Sequence, residues 1–314
     1  MPEGVSAEAP SLVAVVGATG TGKSGCAIGI AQQLQARGVP AEIVNADAMQ
    51  LYRGMDIGTA KLSVEEQGGI AHHLLDVWDV TREASVADYQ AMARSQVLAL
   101  QARGVVPILV GGSGLYVSSV LYEFEFPGTD AGLREKLEQR LETEGREALV
   151  RELAAQDPLA AVAIDSRNSR RLIRALEVVT LTGKPFGAGL DAERRRWQHN
   201  LLIIGLNTER EVLVPRLDAR VEQMWEAGLV EEARALIPAG LRDGVTASRA
   251  IGYQQALSVI DGVSSPSEAR ESTQALTRRY ARRQVSWFRR DESITWLESD
   301  DPELITTASA LVAE

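Results

Sequence analysis

The sequence LVAVVGATGTGKS, residues 12–24, decides the fold. Its first five residues are apolar and β-prone, which predicts a buried strand. The next eight, GATGTGKS at residues 17–24, match the pattern G-x-x-x-x-G-K-[ST] at every fixed position. Residues 26–38 then carry apolar side chains at helical spacing. A strand, this loop and a helix in succession predict a site for a di- or triphosphate, because backbone N–H groups and the helix dipole both attract phosphate oxygens.

Lys23 and Ser24 complete the chemistry of this P-loop. Lys23 supplies positive charge to the phosphates, and the hydroxyl of Ser24 is a ligand for Mg²⁺. The alternative is a glycine-rich turn that matches by chance, which the strand before it and the helix after it disfavour. The residues expected at the phosphates are those of the loop: Gly17, Ala18, Thr19, Gly20, Thr21, Gly22, Lys23 and Ser24.

The composition is that of an ordinary globular protein. The chain has 314 residues, of which 45% are hydrophobic and 24% are charged, and its net charge is −10. One cysteine and three histidines exclude internal disulfides and a Cys/His zinc module. Because no long uncharged apolar run and no signal-peptide pattern occurs, we expect a cytoplasmic protein with no membrane partner. Residues 1–10 are expected to be a disordered lead-in.

Three arginine clusters stand out in this acidic chain, at residues 167–174, 194–196 and 278–290. The last, RRYARRQVSWFRR, holds six arginines in thirteen residues. Such runs are usually solvated helix faces. The aromatic residues Trp287 and Phe288 between the arginines favour a polyanionic partner instead. Both interpretations stay open at this point.

Strands and helices alternate along much of the chain, which predicts a P-loop NTPase-like α/β fold with a doubly wound parallel sheet. Residues 128–197 have a nearly continuous helical pattern, and we interpret them as a helical insertion domain. The core is then residues 11–127 and 198–314, ending in a helical C-terminal region. The predicted strands are residues 12–16, 41–47, 70–79, 105–110, 199–207 and 294–298.

The strand at residues 105–110 ends in Gly111, Gly112 and Ser113, without the carboxylate with which an NTPase holds Mg²⁺. The nearest strand-terminal acid to the loop is Asp47, 24 residues after Lys23. A carboxylate beside bound phosphates could take a proton from an attacking group, and the alternative is an aspartate that caps a turn. Ser113 could bind the same acceptor, could cap the next helix, or could do both.

Eight segments in order resemble the tRNA dimethylallyltransferase (tRNA isopentenyltransferase) family over about residues 12–298. No single segment after the P-loop is decisive, but eight in register are specific. The segments are GATGTGKS, NADAMQLYRGMDIGTAK, HHLLDVWDV, SVADYQ, ILVGGSGLY, RRLIRALEV, RAIGYQQ and RRQVSWFRR.

The resemblance implies transfer of a dimethylallyl group from dimethylallyl diphosphate to N6 of the adenosine immediately 3′ of the tRNA anticodon, giving N6-isopentenyladenosine and diphosphate. The P-loop would then hold a diphosphate leaving group, with Mg²⁺ on Ser24. No γ-phosphoryl group is transferred in such a reaction, which accounts for the missing carboxylate after the strand at residues 105–110. Asp47 corresponds to the general base, and Ser113 to a catalytic hydroxyl residue that is usually Thr. The partners implied are the anticodon stem-loop and dimethylallyl diphosphate, and a monomer is expected.

The resemblance also implies a set of tRNA-contacting residues. They surround the expected base, lie in the insertion, and lie near residue 250: Asp47, Ala48, Met49, Gln50, Ser113, Arg134, Arg170, Arg171, Leu172, Ile173, Arg174, Arg249, Gly252, Tyr253 and Gln254.

The sequence departs from the family pattern at three further places. Ala48 replaces a common Ser, Gln254 replaces a common Arg, and Leu62 follows Lys61 where Pro is usual. None of these lies in the P-loop or at Asp47. Three other functions stay open: an adenylate prenyltransferase of the cytokinin type, a small-molecule P-loop kinase, and a non-catalytic RNA-binding module.

Overall fold

The computed structural model describes residues 10–187 and 195–313. Residues 1–9 of the disordered lead-in predicted for residues 1–10 lie outside the described residues. Arg194, of the arginine cluster at residues 194–196, also lies outside them. The described chain forms two compact units. One is Tyr122–Arg196, and the other is formed by the chain on either side of it.

The larger unit is built on a six-stranded sheet with the order β3-β2-β4-β1-β5-β6. Every neighbouring pair is parallel, which confirms the predicted α/β fold with a parallel sheet. The strands are β1 Leu12–Gly17, β2 Ala41–Asn45, β3 His72–His73, β4 Val106–Gly111, β5 Leu201–Asn207 and β6 Thr295–Glu298.

All six residues of β1 are buried, so both of its faces are covered. Successive side chains of a strand point to opposite faces, and a continuous apolar run such as LVAVV is typical of a central parallel strand. Val13 and Val15 pack with the first helix in one apolar cluster. In the register with β4, Val16 lies opposite Gly111, which brings the P-loop beside the turn that follows β4.

Eight α-helices and a short 3₁₀ helix at Ala247–Arg249 belong to the described part of this unit. Two of them begin with well-formed caps: Ser85 caps the helix that begins at Val86, and Ser265 with Glu268 forms a capping box on the helix that begins at Pro266. The helices are α1 Lys23–Ala36, α2 Val86–Gln101, α3 Gly114–Leu121, α8 Arg210–Glu226, α9 Leu229–Leu236, α10 Tyr253–Ile260, α11 Pro266–Phe288 and α12 Leu304–Ala313.

The smaller unit is helical, with its own apolar core that includes Leu149, Leu153 and Leu176. An antiparallel bridge between Tyr122 and Arg196 closes its base, and the N–H of Glu123 donates to the carbonyl of Arg195 at 2.9 Å. This pairing makes the unit begin at 122, where the helical pattern alone suggested 128. Its helices are α4 Ala131–Thr143, α5 Arg146–Gln156, α6 Pro158–Ala163 and α7 Ser169–Thr182.

Of the helices in the described ranges, none has both the length and the apolar composition needed to cross a lipid bilayer.

Candidate functional site

A pocket of about 350 Å³ lies where β1, β2 and β4 end in the larger unit. This is the edge at which parallel α/β sheets bind ligands. The lining comes from the P-loop, the segments after β2 and β4, the loop around residue 60, and helices α8 and α11. Its polar members are Thr19, Lys23, Ser24, Asn45, Asp47, Gln50, Thr59, Lys61, Glu66, His72, Arg220 and Gln284.

The P-loop divides into residues that line the pocket and residues that support it. Thr19, Gly20, Gly22, Lys23 and Ser24 line the pocket. The other three support the loop: Gly17 has φ +147°, Ala18 is buried, and the buried Thr21 hydroxyl donates to the Ala18 carbonyl at 2.9 Å. Gly20 and Gly22 have φ values near +80°, a conformation that favours glycine.

Lys23 points its ammonium group back at its own loop, where Nζ donates to the Ala18 carbonyl at 2.6 Å. Burial lowers the pKa of Lys23 to about 8, the Asp47 carboxylate opposes that change, and the Arg220 guanidinium adds to it. A bound polyanion would favour the charged form, because opposite charges within a few ångströms stabilise one another.

Arg220 is a second cation in the pocket and was not identified from the sequence. It lies on α8, in the ordinary amphipathic stretch LDARVEQMWEAG, and no local pattern distinguishes it from the other arginines. Burial lowers its pKa, while the carboxylate of Asp47 raises it. The lining thus carries three cations, Lys23, Lys61 and Arg220, and two carboxylates, Asp47 and Glu66, and this excess of positive charge suits an anionic ligand.

Asp47 holds a tight turn directly after β2. Its Oδ1 accepts the N–H of Met49 at 2.9 Å, and its own N–H donates to Oδ1 of Asn45 at 3.0 Å. Asn45 is buried and also donates to the carbonyl of Leu74 at 3.0 Å. The turn-capping interpretation is therefore correct, and Oδ2 of Asp47, a residue that lines the pocket, accepts no hydrogen bond from any described residue. A role in proton transfer is compatible with this geometry.

Ser113 connects the ends of β2 and β4. Its Oγ accepts the N–H of Ala48 at 3.2 Å and lies 3.4 Å from the hydroxyl of Tyr280. Asp47 and Ser113, predicted to act together, are therefore brought together. Tyr280 on α11 joins them and was not identified from the sequence; burial and the Asp47 carboxylate together raise its pKa to about 12.

Two of the sequence segments, GGSGLY and RRQVSWFRR, pack directly against each other. A Cβ added at Gly114 would lie 2.4 Å from the Trp287 ring, and the Trp287 indole donates to the hydroxyl of Ser118 at 3.1 Å. Phe288 is buried. Trp287 and Phe288 therefore face inward, whereas most arginines of the last arginine cluster are exposed: Arg279, Arg282, Arg283, Arg289 and Arg290.

The segments NADAMQLYRGMDIGTAK and RAIGYQQ also contact each other, through Glu232 of α9. The Glu232 carboxylate accepts the N–H groups of Asp56, Ile57 and Gly58 at 3.1, 2.8 and 3.3 Å. The Tyr253 hydroxyl donates to the same carboxylate at 2.5 Å. Burial raises the pKa of Tyr253, and so does Glu232, which keeps the phenol a neutral donor.

Lys61 fixes the other side of this loop. Its Nζ donates to Asp56 and Asp76 carboxylates, each at 2.6 Å, and to the Tyr52 carbonyl at 2.9 Å. The Lys61 side chain is 5% exposed, whereas the side chains of Asp56 and Asp76 are 56% and 46% exposed. Asp76 has φ +54°, which is unusual for a residue other than glycine. The strand predicted at 70–79 is accordingly limited to β3, and turns follow it.

The residues with an implied tRNA contact differ in exposure. Gly252 and Tyr253 are buried, as are Leu172 and Ile173 in the core of the smaller unit. Their contact with tRNA stays a prediction, as it does for the remaining members. The side chains exposed to solvent are those of Arg170, Arg171, Arg249 and Gln254.

Arg134 and Arg174, also implied to contact tRNA, flank the buried carboxylate of Glu177. Their guanidinium groups lie 3.3 and 2.7 Å from Oε2 of Glu177. Arg174 further donates to the carbonyls of Pro127 and Gly128. Burial raises the pKa of Glu177, but hydrogen bonds from Arg174, Asp130 and Arg134 outweigh it and leave the pKa below its usual value. Both arginines thus stabilise the smaller unit.

Comparison with known proteins places these features in a family. The family model described as IPP transferase matches residues 50–291. A tRNA dimethylallyltransferase of Clavibacter sepedonicus is 58% identical over 297 residues, covering 95% of this chain and 96% of the relative. One of Thermobifida fusca is 54% identical over 304 residues, covering 97% and 95%.

Solved structures give the same result. A tRNA isopentenylpyrophosphate transferase of Bacillus halodurans matches with a TM-score of 0.70 at 39% identity, covering 96% of this chain and 95% of that one. A eukaryotic dimethylallyltransferase acting on tRNA matches with a TM-score of 0.77 at 25% identity, covering 96% and 77%.

Proposed function

The chain belongs to the IPP transferase family, and on that premise we propose that it transfers a dimethylallyl group from dimethylallyl diphosphate to N6 of the adenosine immediately 3′ of the anticodon in tRNA. The supporting observation is the shared pocket, in which Lys23 and Arg220 provide positive charge beside the P-loop. Asp47 lines the same pocket, and Ser113 lies next to Asp47 through its bond to the N–H of Ala48. The products are N6-isopentenyladenosine and diphosphate.

The P-loop and the two cations bind the diphosphate. As the bond between C1 of the dimethylallyl group and its bridging oxygen breaks, negative charge grows on the leaving diphosphate. Lys23, Arg220 and the loop N–H groups stabilise that charge without having to reorganise, which is a large source of rate enhancement in enclosed sites.

The nucleophile approaches from the side of Asp47 and Ser113. The adenine must leave its stack to enter the pocket, at a cost of a few kcal/mol. The lone pair of N6 forms the new bond to C1, and the N6 proton passes to Asp47. Ser113 orients the amine. Because an exocyclic adenine amine is a weak nucleophile, positioning supplies much of the rate.

The residues present fit Mg²⁺ bound together with the diphosphate. Ser24 offers a hydroxyl on the pocket wall beside Lys23. Among the described residues no group of three or more His, Cys, Asp or Glu could hold a metal alone. Mg²⁺ commonly takes one or two protein ligands and completes its shell with phosphate oxygens and water, so a single hydroxyl suffices. When bound, the ion supplies further positive charge to the leaving group.

The exposed arginines are proposed to hold the anticodon stem-loop, with the protein acting as a monomer. The smaller unit presents Arg170 and Arg171, and α11 presents Arg282 and Arg283. Such contacts neutralise phosphates and position the RNA without reading its sequence. Because tRNA is the acceptor, we propose that the enzyme works in the cytoplasm.

The testing experiment mixes the protein with radiolabelled dimethylallyl diphosphate, Mg²⁺ and unmodified tRNA. Label should enter the tRNA at the adenosine 3′ of the anticodon. A parallel reaction with AMP tests for a cytokinin-type enzyme, and one with labelled ATP and small acceptors tests for a kinase. Label in AMP alone, or no prenyl transfer at all, would overturn the proposal.

A further inference from the structure

The Gln284 side chain connects two loops of the pocket that are distant in sequence. Its Oε1 accepts the N–H of Thr19 at 2.8 Å, and its Nε2 donates to the carbonyl of Gly112 at 2.8 Å. The side chain is 4% exposed. Gln284 lies on α11, whereas its two partners lie in the P-loop and in the turn after β4.

This bridge requires a primary amide of this length. A carboxylate can accept from Thr19 but cannot donate to Gly112, and an aliphatic side chain can do neither. The backbone at Gly112 lies close against the Gln284 amide, because a Cβ at Gly112 would lie 2.4 Å from Nε2 of Gln284. The absence of a side chain at Gly112 therefore leaves the room that the amide occupies.

The two bonded residues belong to the two halves of the reaction. Thr19 lies in the P-loop and lines the pocket at the diphosphate side. Gly112 directly precedes Ser113, whose hydroxyl binds the N–H of Ala48 next to Asp47. The Gln284 amide thus sets the distance between the segment that holds the leaving group and the segment that holds the nucleophile.

We propose that Gln284 is a positioning residue for prenyl transfer, and that it fixes the separation of the two substrates. This role rests on the proposed function. Both polar atoms of the amide are bonded to the protein backbone, so its loss should leave the binding of each substrate largely intact. It should slow the step in which both are aligned, because a misplacement of 1 Å in a bound pair of reactants costs about 100-fold in rate.

The test compares Gln284→Met with Gln274→Met. Both replace a glutamine on α11 by an aliphatic side chain of similar length, but Gln274 bonds to Glu222 of α8 at 2.9 Å, away from the P-loop. Single-turnover rates with tRNA, dissociation constants for dimethylallyl diphosphate and for tRNA, and melting temperatures are measured for both variants and the wild type.

For Gln284→Met the single-turnover rate should fall about 10- to 100-fold, while both dissociation constants stay within about twofold of the wild type. Gln274→Met should keep the wild-type rate. An unchanged rate for Gln284→Met, or a loss explained by weaker substrate binding, would overturn the positioning role.

A second variant keeps the test decisive if Gln284→Met does not fold. Gln284→Asn retains the amide but is one methylene too short to reach both partners, and it is judged by the same criteria. An inactive wild type overturns the proposed function itself and this role with it, whereas an active wild type with an unaffected Gln284 variant overturns this role alone.

Discussion

At the scale of single residues, Asp47 holds a turn with one carboxylate oxygen, because Oδ1 accepts the N–H of Met49. The other oxygen, Oδ2, is the proposed proton acceptor. Asp47→Asn keeps the turn because the amide oxygen still accepts, but it removes the proton acceptor. We expect turnover to fall by about 10²- to 10⁴-fold, with little change in binding of dimethylallyl diphosphate, measured by single-turnover kinetics and calorimetry.

Asp79→Asn is the matched control, since Asp79 pairs with Arg53 on the surface and both side chains are more than half exposed. It should retain the wild-type rate. Equal rates for Asp47→Asn and the wild type would remove Asp47 from proton transfer.

Lys23 should make diphosphate binding depend on pH. Its pKa of about 8 in the free protein means that the ammonium loses its proton as the pH rises past 8. Only the charged form attracts the diphosphate, so binding must then take up a proton. The dissociation constant of dimethylallyl diphosphate should be flat below pH 7 and rise by up to about tenfold per pH unit above 8.

Calorimetry between pH 6.5 and 9.5 measures this dependence. Lys23→Met should bind more weakly throughout and lose the rise above pH 8. A rise of the same size in Lys23→Met would assign the titration to another group.

The candidate site residues that could be identified from the sequence are those marked by their immediate neighbours in the chain. Lys23 and Ser24 sit in a fixed-spacing motif, and Asp47 and Ser113 follow strands that can be identified from their apolar residues. Arg220 and Gln284 reach the pocket, and Tyr280 reaches Ser113, only because α8 and α11 pack against the P-loop and the turn after β4. Tyr280 and Gln284 fall within the arginine cluster at residues 278–290, but no local pattern marks these two residues or Arg220 as part of the site.

At the scale of elements, Glu232 holds the loop at residues 56–58 to the start of α10. Its carboxylate accepts three successive N–H groups and one phenol. Glu232→Gln replaces charged hydrogen bonds by neutral ones and presents donors where acceptors are needed. We expect the free energy of unfolding to fall by about 1–3 kcal/mol, measured by urea denaturation.

The neighbouring Glu231 gives the control, because its exposed side chain pairs with Arg234 on the same helix, at 3.6 Å. Glu231→Gln should change stability by less than about 0.5 kcal/mol. If both variants were equally stable, the Glu232 contacts would be of no energetic consequence.

Gly114 marks the close approach of α3 and α11. Gly114→Ala would place a methyl group 2.4 Å from the Trp287 ring, and the indole must shift to relieve the clash. Overpacking of this kind costs about 1–3 kcal/mol, which thermal denaturation would reveal. Gly25→Ala in α1 meets no atom within 4 Å and should instead be neutral or slightly stabilising.

The elements that were predicted well are the long ones with a clear period. β1, β4 and β5 were located from apolar runs, and α2 from its cap at Ser85. The apolar residues at 70–79 suggested a full strand, but only His72 and His73 pair with β2, because Leu74 and Asp76 adopt positive φ values and turn the chain. α12 was missed because it is short and follows an acidic turn.

At the scale of the whole molecule, net negative charge and exposed arginines coexist. If the arginines bind RNA phosphates, tRNA affinity must fall as salt rises. Replacing both Arg170 and Arg171 by Ala should reduce the slope of log affinity against log salt by about 1–2, measured by filter binding. Arg37→Ala should leave the slope unchanged, because Arg37 lies at the end of α1 remote from the P-loop.

A slope that is equal in the wild type and in the arginine double variant would place the RNA-binding surface elsewhere.

The helical character of the inserted segment was evident from its sequence. Its limits were not, because they are set by the pairing of Tyr122 with Arg196, two residues far apart in the chain that carry no common pattern.

The pairing of β1 with β5 has a consequence for biosynthesis. Leu12 lies beside Leu201, so the strand that leads into the P-loop gains its second neighbour only after some two hundred residues have been made. Gln284 and Arg220 arrive later still. Contacts so distant along the chain form slowly, and a nascent polypeptide on the ribosome holds the P-loop motif long before it holds the pocket. The pocket is therefore complete only after the segment that carries Gln284 has been made.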